Sequence, residues 1–475
     1  MTNANPATDP EGPTGRIAHW LAATTLDDVP VRVRERARHL LLDGFGCALV
    51  GAQLPWSRTA VEAVMSLEGV GSAPLIGWGR TASASAAAVL NGTFIQGFEL
   101  DDYHPVAPLH GAAVIVPALL SATQLTGAVD GSRFLLAAVL GFEVGPRVGL
   151  ALHGGQMLTR GWHSGAVFGP FAAAAAAGCL LRIDAAQFED ALGLAATQAS
   201  GLMAAQFEAM SKRMHHGLAS RNGLFAAAVA GAGYTGIKRV FEREYGGFLS
   251  TFGEGHAPDA SQVCLDLGER WETERVAIKP HAAMGGLHGG IDAVLELAAG
   301  RALRSDDIEQ VEVAVGEAVF HHGGWVPTRP LNTVGAQMNL AYAVAVTILD
   351  GAAFVEQFSP SRIDQDDVWD LIGRTAVRHD AAIDQLGADA AGCTRVRIKF
   401  RNGEVNEAVV EQPRGRPGRP LSNQEIVAKF RRLAGAVIEA DRRDAIENCV
   451  LELEVLGDVS ELVALLAPPA GGLFN

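Results

Sequence analysis

Five ionisable side chains fall within twelve positions of the segment GFELDDYHPVAPLHGAA, residues 97–113. The segment lies between two apolar, alanine-rich stretches that are typical of buried helices. Carboxylates and imidazoles near the ends of such helices can have their pKa values pushed apart, and that difference is what acid–base catalysis requires. The five residues are Glu99, Asp101, Asp102, His104 and His110.

Three interpretations of this cluster are open from its residues alone. Asp101, His104 and His110 could supply three metal ligands, but Pro105 and Pro108 separate the two histidines and remove any fixed helical spacing. A solvated loop is the structural alternative, because Asp and His are common in loops. Acid–base chemistry is the interpretation that the combination of two histidines and three carboxylates favours.

Two later segments add histidines and cations in front of apolar helices. TRGWHSGAVFG, residues 159–169, has His163 at the start of such a helix, where a cap or a packed side chain is the simpler explanation. MSKRMHHGLASRNG, residues 210–223, could hold a carboxylate or phosphate near a helix N-terminus, or could be a solvated basic turn. Its charged and imidazole side chains are Lys212, Arg213, His215, His216 and Arg221.

A third segment, AIKPHAAMGGLHGGIDAV at residues 277–294, carries Lys279, His281 and His288 among glycines. Pro280 keeps Lys279 extended rather than helical. The glycines would let a ligand approach the backbone closely, although a domain hinge would have the same composition.

Familiar catalytic and nucleotide-binding motifs are absent from the sequence. Ser164 follows Gly-Trp-His and is not in a GxSxG elbow. GAGYTG at 231–236 matches GxGxxG, but it follows an alanine-rich helix rather than a strand, so we predict no dinucleotide site. There is no Walker A motif, HExxH motif or EF-hand loop. No motif of this kind in the sequence indicates a metal or a cofactor.

Composition limits the class of protein. The 475 residues are 48% hydrophobic and 19% charged, which is typical of a globular chain of two domains. A formal charge of −15 argues against non-specific nucleic-acid or anionic-membrane binding. The five cysteines form no CxxC pair, and residues 1–16 have no apolar core of a signal peptide. The apolar run 166–181 is short for a membrane span, so we expect a soluble, cytoplasmic protein.

The positions of these motifs depend on a mainly helical framework. Helical patterns occur at 30–51, 82–100, 112–127, 131–151, 164–182, 184–200 and 217–232, with Asp184 as a helix N-cap. Alternating, valine-rich runs at 311–320 and 394–412 predict strands, and Asn402-Gly403 predicts a hairpin turn. Further helices are predicted at 288–300, 335–350, 364–373 and 422–435, after a basic Pro-Gly linker at 413–420.

We therefore predict a mainly α protein with a large all-helical domain and a smaller α+β lid domain. The predicted boundaries are residues 1–266 for the first part of the helical domain and 267–418 for the lid. Residues 419–475 return to the helical domain. A cleft between two such domains is a common place for a small-molecule site.

Taken in order, the motifs resemble the MmgE/PrpD family of 2-methylcitrate dehydratases, cis-aconitate decarboxylases and iminodisuccinate epimerases over roughly residues 15–460. The matching steps are NGTFIQGFELDD at 91–102, GWHS at 161–164, SKRMHHG at 211–217, KPHAAMGGLH at 279–288 and AQMNLAY, which ends at Tyr342. The resemblance implies an all-helical domain with an α+β lid, a homodimer and a cofactor-free reaction.

The resemblance also implies a set of site residues and roles. Lys212 and Lys279 would hold substrate carboxylates, His163 or His110 would move the proton, and Asp101 or Glu99 would orient that histidine. Tyr342 could protonate a leaving hydroxyl or the opposite face of the carbanion. We expect substrate contacts from Asp102, His104, His215, Arg221 and His288.

This chain departs from the family pattern at two places. Gln96 and Glu99 stand where the family usually has His and Asp, and Ala283-Met284-Gly285-Gly286 replaces a Cys-Cys-basic-aromatic run. Loss of the bulky polar groups should enlarge or neutralise part of the pocket. We expect a lyase that removes a proton α to a carboxylate of a di- or tricarboxylate. A 2-methylcitrate dehydratase-like hydro-lyase is the preferred interpretation. The alternatives are an epimerase of an acidic substrate and a cis-aconitate-type decarboxylase.

Overall fold

Alanine- and glycine-rich helices form the centre of the molecule, because small side chains let helix axes approach closely. The structure, a computed structural model, describes residues 8–207, 209–300, 302–386 and 392–472. The elements up to residue 252 are α1 (Pro13–Ala23), α2 (Val31–Gly51), α3 (Pro55–Leu67), β1 (Ala73–Leu75), β2 (Arg80–Ala82), α4 (Ala84–Ile95), α5 (Gly111–Ala122), α6 (Gly131–Ala151), α7 (Gly155–Thr159), α8 (Ser164–Leu181), α9 (Ala185–Ala196), α10 (Ser211–Gly231) and α11 (Phe248–Phe252).

A second group of elements contains the larger sheet and the last helices. These elements are α12 (His288–Gly300), β3 (Ile308–Val315), α13 (Glu317–Gly323), α14 (Thr333–Gln337), α15 (Leu340–Asp350), α16 (Pro360–Ile363), α17 (Asp366–Ile372), β4 (Thr375–His379), α18 (Ala381–Asp384), β5 (Thr394–Phe400), β6 (Val405–Val410), α19 (Asn423–Gly435), α20 (Ala440–Leu451) and α21 (Ser460–Leu466).

Helix α8 packs against α6 and α10, and α10 also packs against α4. Close approach depends on glycines at the crossing of α4 and α10. A Cβ on Gly217 would lie 2.0 Å from the carbonyl oxygen of Val89, and one on Gly92 would lie 2.6 Å from the Cα of Gly217. The crossing fixes where α10, with its lysine and histidines, lies relative to the segment after α4.

The larger sheet has the strand order β4-β3-β5-β6. Strands β3 and β4 are parallel and the other pairs are antiparallel. Helix α12 packs on β5 and β6, and α19 returns to pack against α2 of the helical part. The mainly α fold with a small α+β part is confirmed, while the boundaries at 266 and 418 stay a prediction.

Several local predictions are confirmed in detail. The Asp184 side chain accepts the backbone N–H of Gln187 at 2.9 Å, as an N-cap does. The Asn402-Gly403 turn joins the antiparallel strands β5 and β6, with Gly403 at φ 88°. Helix α19 begins after Ser422, whose hydroxyl caps it.

Several predicted boundaries are wrong: the helices predicted at 82–100 and 112–127 end at Ile95 and Ala122, and the one predicted at 335–350 is divided into α14 and α15. Two further boundaries differ for an identifiable reason. The strand predicted at 311–320 ends at Val315, and α13 follows because Asp384 accepts the N–H of Glu317 at 2.9 Å, a distant cap with no local signal. Helix α10 begins at Ser211 rather than 217, so its basic residues lie inside its first turns. Cations are unfavourable at a helix N-terminus, and here a buried carboxylate from another segment compensates them.

Two helices, α6 and α8, are long and apolar enough to cross a membrane by length and composition. In each of them 89% of the apolar window is buried inside the structure. Core helices of soluble proteins pass the same test, so these two helices are weak evidence for a membrane span.

The α4–α10 crossing leads to a stability prediction. We expect Gly217→Ala to lower the free energy of unfolding by about 3 kcal/mol, because the new methyl group meets backbone rather than a movable side chain. Gly300→Ala, at the end of α12 with nothing within 4 Å, is the control and should be neutral or slightly stabilising. Urea unfolding followed by circular dichroism measures both, and equal midpoints for the two variants would contradict the close crossing.

Candidate active site

The candidate site is centred on the carboxylate of Glu99, which follows a 3-10 turn at the end of α4. Its backbone is left-handed, with φ 55° and ψ 32°, a conformation that costs a non-glycine residue about 1–3 kcal/mol. Side-chain contacts hold it there. The carboxylate accepts from Arg213 Nη1 at 2.7 Å, from Lys279 Nζ at 2.9 Å, from Gln96 Nε2 at 2.7 Å and from Lys212 Nζ.

The charges around Glu99 decide the protonation states at the centre. Burial acts to raise the pKa of Glu99, but Lys212, Lys279 and Arg213 outweigh it and hold this pKa well below its usual range. Burial likewise acts to lower the pKa of Lys279, but Glu99 and Asp101 raise it above the ordinary value. For Lys212 burial prevails and lowers the pKa to about 8. Glu99 and Lys279 are therefore charged near neutral pH, and Lys212 titrates close to it.

Beside this centre, Asp101 and His110 form a hydrogen-bonded pair. His110 Nδ1 lies 2.8 Å from Asp101 Oδ2. Burial lowers the pKa of His110 although Asp101 opposes the shift, and the pKa of Asp101 is lowered by His110 and Lys279 against its burial. The imidazole is thus neutral, donates Nδ1–H to the ionised Asp101, and keeps Nε2 available for proton transfer.

Three further histidines surround His110. The rings of His110 and His216 are 4.6 Å apart, those of His163 and His215 are 4.6 Å apart, and those of His163 and His216 are 5.1 Å apart. Burial lowers the pKa of His163 well below its usual value, with further lowering by His215 and Lys212. Burial and Lys212 lower the pKa of His215 to about 4. These lowered pKa values favour neutral imidazoles in the cluster at pH 7.

Buried contacts outside the site hold its segments in position. Tyr103 and Ala277 exchange backbone hydrogen bonds at 2.9 and 2.8 Å, which joins the Asp101 segment to the Lys279 segment. On α6, the carboxylate of Glu143 accepts from the backbone of Glu272 and Thr273 at 3.0 and 2.9 Å, and so fixes the chain that leads to Lys279.

A second buried anchor comes from α19. Lys429 pairs with Asp43 of α2 at 2.6 Å and donates to the carbonyl oxygen of Leu100 at 2.5 Å. Leu100 lies between Glu99 and Asp101, so this lysine joins the segment 99–101 to the helical core.

The site contains a cavity of about 270 Å³. Residues from both sides of position 266 contribute to it. The predicted site residues in its lining are Glu99, His110, His163, Lys212 and Lys279. Asp101 lies directly behind His110, and His215 lines a neighbouring cavity.

One wall of the cavity is formed by the segment where the sequence departs from the family pattern. Met284, Gly285 and Gly286 all line it. A Cβ on Gly285 would lie 2.8 Å from the ring of Tyr103, and one on Gly286 would lie 3.2 Å from Val319. The absence of side chains at these two positions keeps space open in the cavity.

Besides Asp101 and His215, five more residues that we expected at the site are absent from this lining, because their polar atoms are used elsewhere. Asp102 accepts from the backbone of Gly111 and Ala112 at the start of α5. His104 lies 3.1 Å from Glu272 and accepts the N–H of Ala107. The structure does not bring either side chain to the cavity.

The other three are also engaged away from the lining. Arg221 donates to the Asn222 side chain, and His288 Nε2 lies 3.0 Å from the carbonyl oxygen of Ala283. Tyr342, predicted to be an acid, donates its hydroxyl to the carbonyl oxygen of Gln357 at 2.5 Å. Burial raises the pKa of Tyr342 as well, so nothing in the structure favours proton transfer from it.

Some residues of the site were not predicted from the sequence. Arg213 lies in the basic cluster and binds Glu99, but only its neighbour Lys212 matched a family motif. Gln206, His322 and Arg416 line the cavity. Arg416 lies in the segment interpreted as a linker, where the repeated Gly-Arg-Pro pattern could have indicated an ordered turn. Among the described residues, no group of three or more His, Cys, Asp or Glu side chains is arranged to hold a metal ion.

Comparison with known proteins matches nearly the whole chain. The MmgE/PrpD N-terminal domain matches residues 15–261, and the MmgE/PrpD C-terminal domain matches residues 281–454. The chain is 45% identical to the cis-aconitate decarboxylase-like protein oryM of Aspergillus oryzae, with 96% of this chain and 98% of that protein covered. It is 41% identical to a cis-aconitate decarboxylase of Aspergillus terreus, with 96% of each covered. Identity to the human cis-aconitate decarboxylase is 25%, over 95% of this chain and 93% of that protein.

The charge at Glu99 can be tested by substitution. We expect Glu99→Gln to destabilise the protein by about 3–5 kcal/mol, because it leaves buried cations without their carboxylate. Glu309→Gln is the control, since it breaks only the exposed pair with Lys399 and should cost less than about 1 kcal/mol. Urea unfolding at pH 7 measures both, and equal small losses would contradict the electrostatic role of Glu99.

The difference in unfolding free energy between the wild type and Glu99→Gln should depend on pH in a defined direction. Because the folded-state pKa of Glu99 is depressed, its contribution to stability is fully present above the unfolded value of 4.5. That contribution is lost as the pH falls through the folded-state pKa. The stability difference between the wild type and Glu99→Gln should therefore narrow in acid.

Proposed function

The chain belongs to the MmgE/PrpD family, and from this premise we propose that it decarboxylates cis-aconitate. It is an enzyme of the lyase class that acts on a carboxylate. The observation that carries the finer proposal is the cavity wall where two lysines lie beside the His110–Asp101 pair. Such a wall suits an anion that loses one carboxylate and gains one proton.

The chemistry of cis-aconitate determines which bond breaks. Two of its carboxylates are attached to alkene carbons, and the third is on a methylene carbon next to the alkene. When the third carboxylate leaves as carbon dioxide, its bonding electrons form a new double bond to the neighbouring alkene carbon. The electrons of the original alkene then move to the other alkene carbon, which is α to its own carboxylate, called here the far carboxylate. Loss of either of the others would leave a localised vinyl carbanion. The product of the first path, after protonation of that α carbon, is methylidenesuccinate.

The proposed roles of the cavity residues follow from this path. Negative charge develops on the far carboxylate as the bond breaks, and the ammonium groups of Lys212 and Lys279 would stabilise it. His110 is the better proton donor of the two histidines considered, because Asp101 stabilises its protonated form. His163 has no acidic partner, and its Nδ1 is buried without a hydrogen bond among the described residues. A bound trianion would raise the lowered pKa of His110 and load it with the proton that it delivers.

The first expectation from the sequence, a 2-methylcitrate dehydratase-like hydro-lyase, has less support than its decarboxylase alternative. The relatives at 45% and 41% identity carry the decarboxylase name. Tyr342, the group expected to protonate a leaving hydroxyl, is engaged with Gln357 outside the cavity lining. Removal of carbon dioxide needs no such acid.

We also propose, from the family resemblance, that the enzyme is a cytoplasmic homodimer that needs neither metal nor cofactor. Light scattering of the purified protein tests the dimer, and a monomer at micromolar concentration would refute it. Activity that disappears after exhaustive chelation and returns with added metal would refute the metal-free mechanism.

The reaction itself can be identified in one experiment. With cis-aconitate in D2O, we expect carbon dioxide release and methylidenesuccinate with one deuterium on its saturated methylene carbon, both seen by NMR. Incubation with 2-methylcitrate is the comparison and should give neither carbon dioxide nor alkene. Alkene formation from 2-methylcitrate without decarboxylation of cis-aconitate would favour the hydro-lyase. Deuterium exchange into an acidic substrate with neither product would favour the epimerase.

The pH profile tests the role of Lys212. Because burial lowers its pKa to about 8, this lysine loses its charge as the pH rises through that value. We expect kcat/KM, which reports the free enzyme, to fall above about pH 8 by roughly tenfold per pH unit. Lys212→Arg should lower activity but remove this limb, since a guanidinium stays protonated. A wild-type kcat/KM that is constant from pH 7 to pH 10 would contradict the assignment.

A further inference from the structure

We propose that Arg416 binds a substrate carboxylate remote from the reacting carbon, and that it makes the enzyme prefer tricarboxylates to dicarboxylates. The inference rests on the proposed function, because it names a contact for the substrate of that same cavity. Arg416 belongs to the turn 413–420, the basic Pro-Gly segment that the sequence analysis interpreted as a linker.

The turn is built against the segment that carries Lys279. Gly415 has φ 90°, and its carbonyl oxygen accepts the N–H of Ile278 at 3.1 Å. A Cβ on Gly415 would lie 2.0 Å from the carbonyl oxygen of Ile278, so only glycine allows this approach. The backbone N–H of Arg414 donates to Asp292 at 2.7 Å and holds the turn from its other side. The backbone that presents Arg416 is therefore fixed next to Lys279.

Arg416 lines the cavity, and no carboxylate in the described part of the chain forms an ion pair with its guanidinium. Its Nη1 is buried and has no hydrogen-bond partner in the described part of the chain. Space for it depends on Gly392, where a Cβ would lie 2.6 Å from Nη1. The other arginines of the turn are paired, Arg414 with Glu425 and Arg419 with Glu296. A buried guanidinium nitrogen with no partner is costly, and a ligand oxygen would satisfy it.

The charge balance of the site explains why such a group is needed. Three cations, Lys212, Arg213 and Lys279, are already shared by the carboxylates of Glu99 and Asp101, which leaves a surplus of one positive charge. The nearby histidines His110 and His163 have lowered pKa values. A tricarboxylate brings three negative charges into this cavity. The planar fork of a guanidinium can bind one of its carboxylates through two parallel hydrogen bonds.

The test compares Arg416→Gln with Arg419→Gln, which removes the same charge from the same turn but outside the cavity. For cis-aconitate, we expect Arg416→Gln to raise KM by roughly 10–100-fold with kcat changed less than about threefold, because a hydrogen bond to a charged group is lost. Arg419→Gln should match the wild type. Arg416→Lys, which keeps the charge but not the fork, should give an intermediate KM.

Binding by calorimetry separates this inference from the proposed reaction. Propane-1,2,3-tricarboxylate lacks the alkene and needs no turnover, and we expect Arg416→Gln to weaken its binding by roughly 10–100-fold. Methylidenesuccinate, with two carboxylates, should lose far less affinity. Equal affinities of Arg416→Gln and Arg419→Gln for the tricarboxylate would overturn the assignment, as would a loss in kcat with KM unchanged.

The possible failures are distinguishable. If the wild type releases no carbon dioxide from cis-aconitate but binds propane-1,2,3-tricarboxylate through Arg416, the proposed function fails and the Arg416 assignment stands. If the wild type decarboxylates cis-aconitate and Arg416→Gln behaves like Arg419→Gln, the proposed function stands and the Arg416 assignment fails. Should Arg416→Gln not fold, Arg416→Lys carries the test, and a Lys variant equal to the wild type in KM and in tricarboxylate affinity would overturn the bidentate contact.

Discussion

The buried carboxylate of Glu99 is the interaction on which the rest of the site depends. It gathers cations from α10 and from the segment before α12, two parts of the chain separated by more than sixty residues. Without it, three positive charges would stand close together in a region sheltered from water, and each would repel the others. The close glycine crossing of α4 and α10 makes the meeting possible, since it fixes the distance between Glu99 and Lys212. The ion pairs at Glu99 thus depend on the close packing of α4 and α10.

The sequence predicted the helical framework well wherever the signal was local. Apolar periodicity, the Asp184 cap and the Asn402-Gly403 turn each depend on neighbours within a few residues. Predictions failed where a distant partner decides the structure. Helix α10 begins among basic residues only because Glu99 compensates them, and α13 begins because Asp384 caps it from a later segment. Nothing within either segment indicates these partners.

The sequence predicted most of the ionisable residues of the candidate site, but it did not predict which of them line the cavity. Motif order brought together Glu99, His110, His163, Lys212 and Lys279, which the structure also brings together. It could not separate residues that line the cavity from those that support it, such as Asp102 at the start of α5. Nor could it find Arg416, because a turn rich in proline, glycine and arginine has the composition of a flexible linker. What distinguishes the turn is its contacts with distant residues, from Gly415 to Ile278 and from the backbone of Arg414 to Asp292.

The two glycines opposite Tyr103 and Val319 have a consequence for how the substrate range of this enzyme can change. Most pockets can be widened by trimming a side chain, but Gly285 and Gly286 have none to trim. Every single substitution there adds at least a Cβ, which would lie 2.8 Å from Tyr103 at position 285 and 3.2 Å from Val319 at position 286. Substitution at these two glycines can therefore only narrow the set of acids that enter the cavity, and any broadening must arise at other positions, such as Met284.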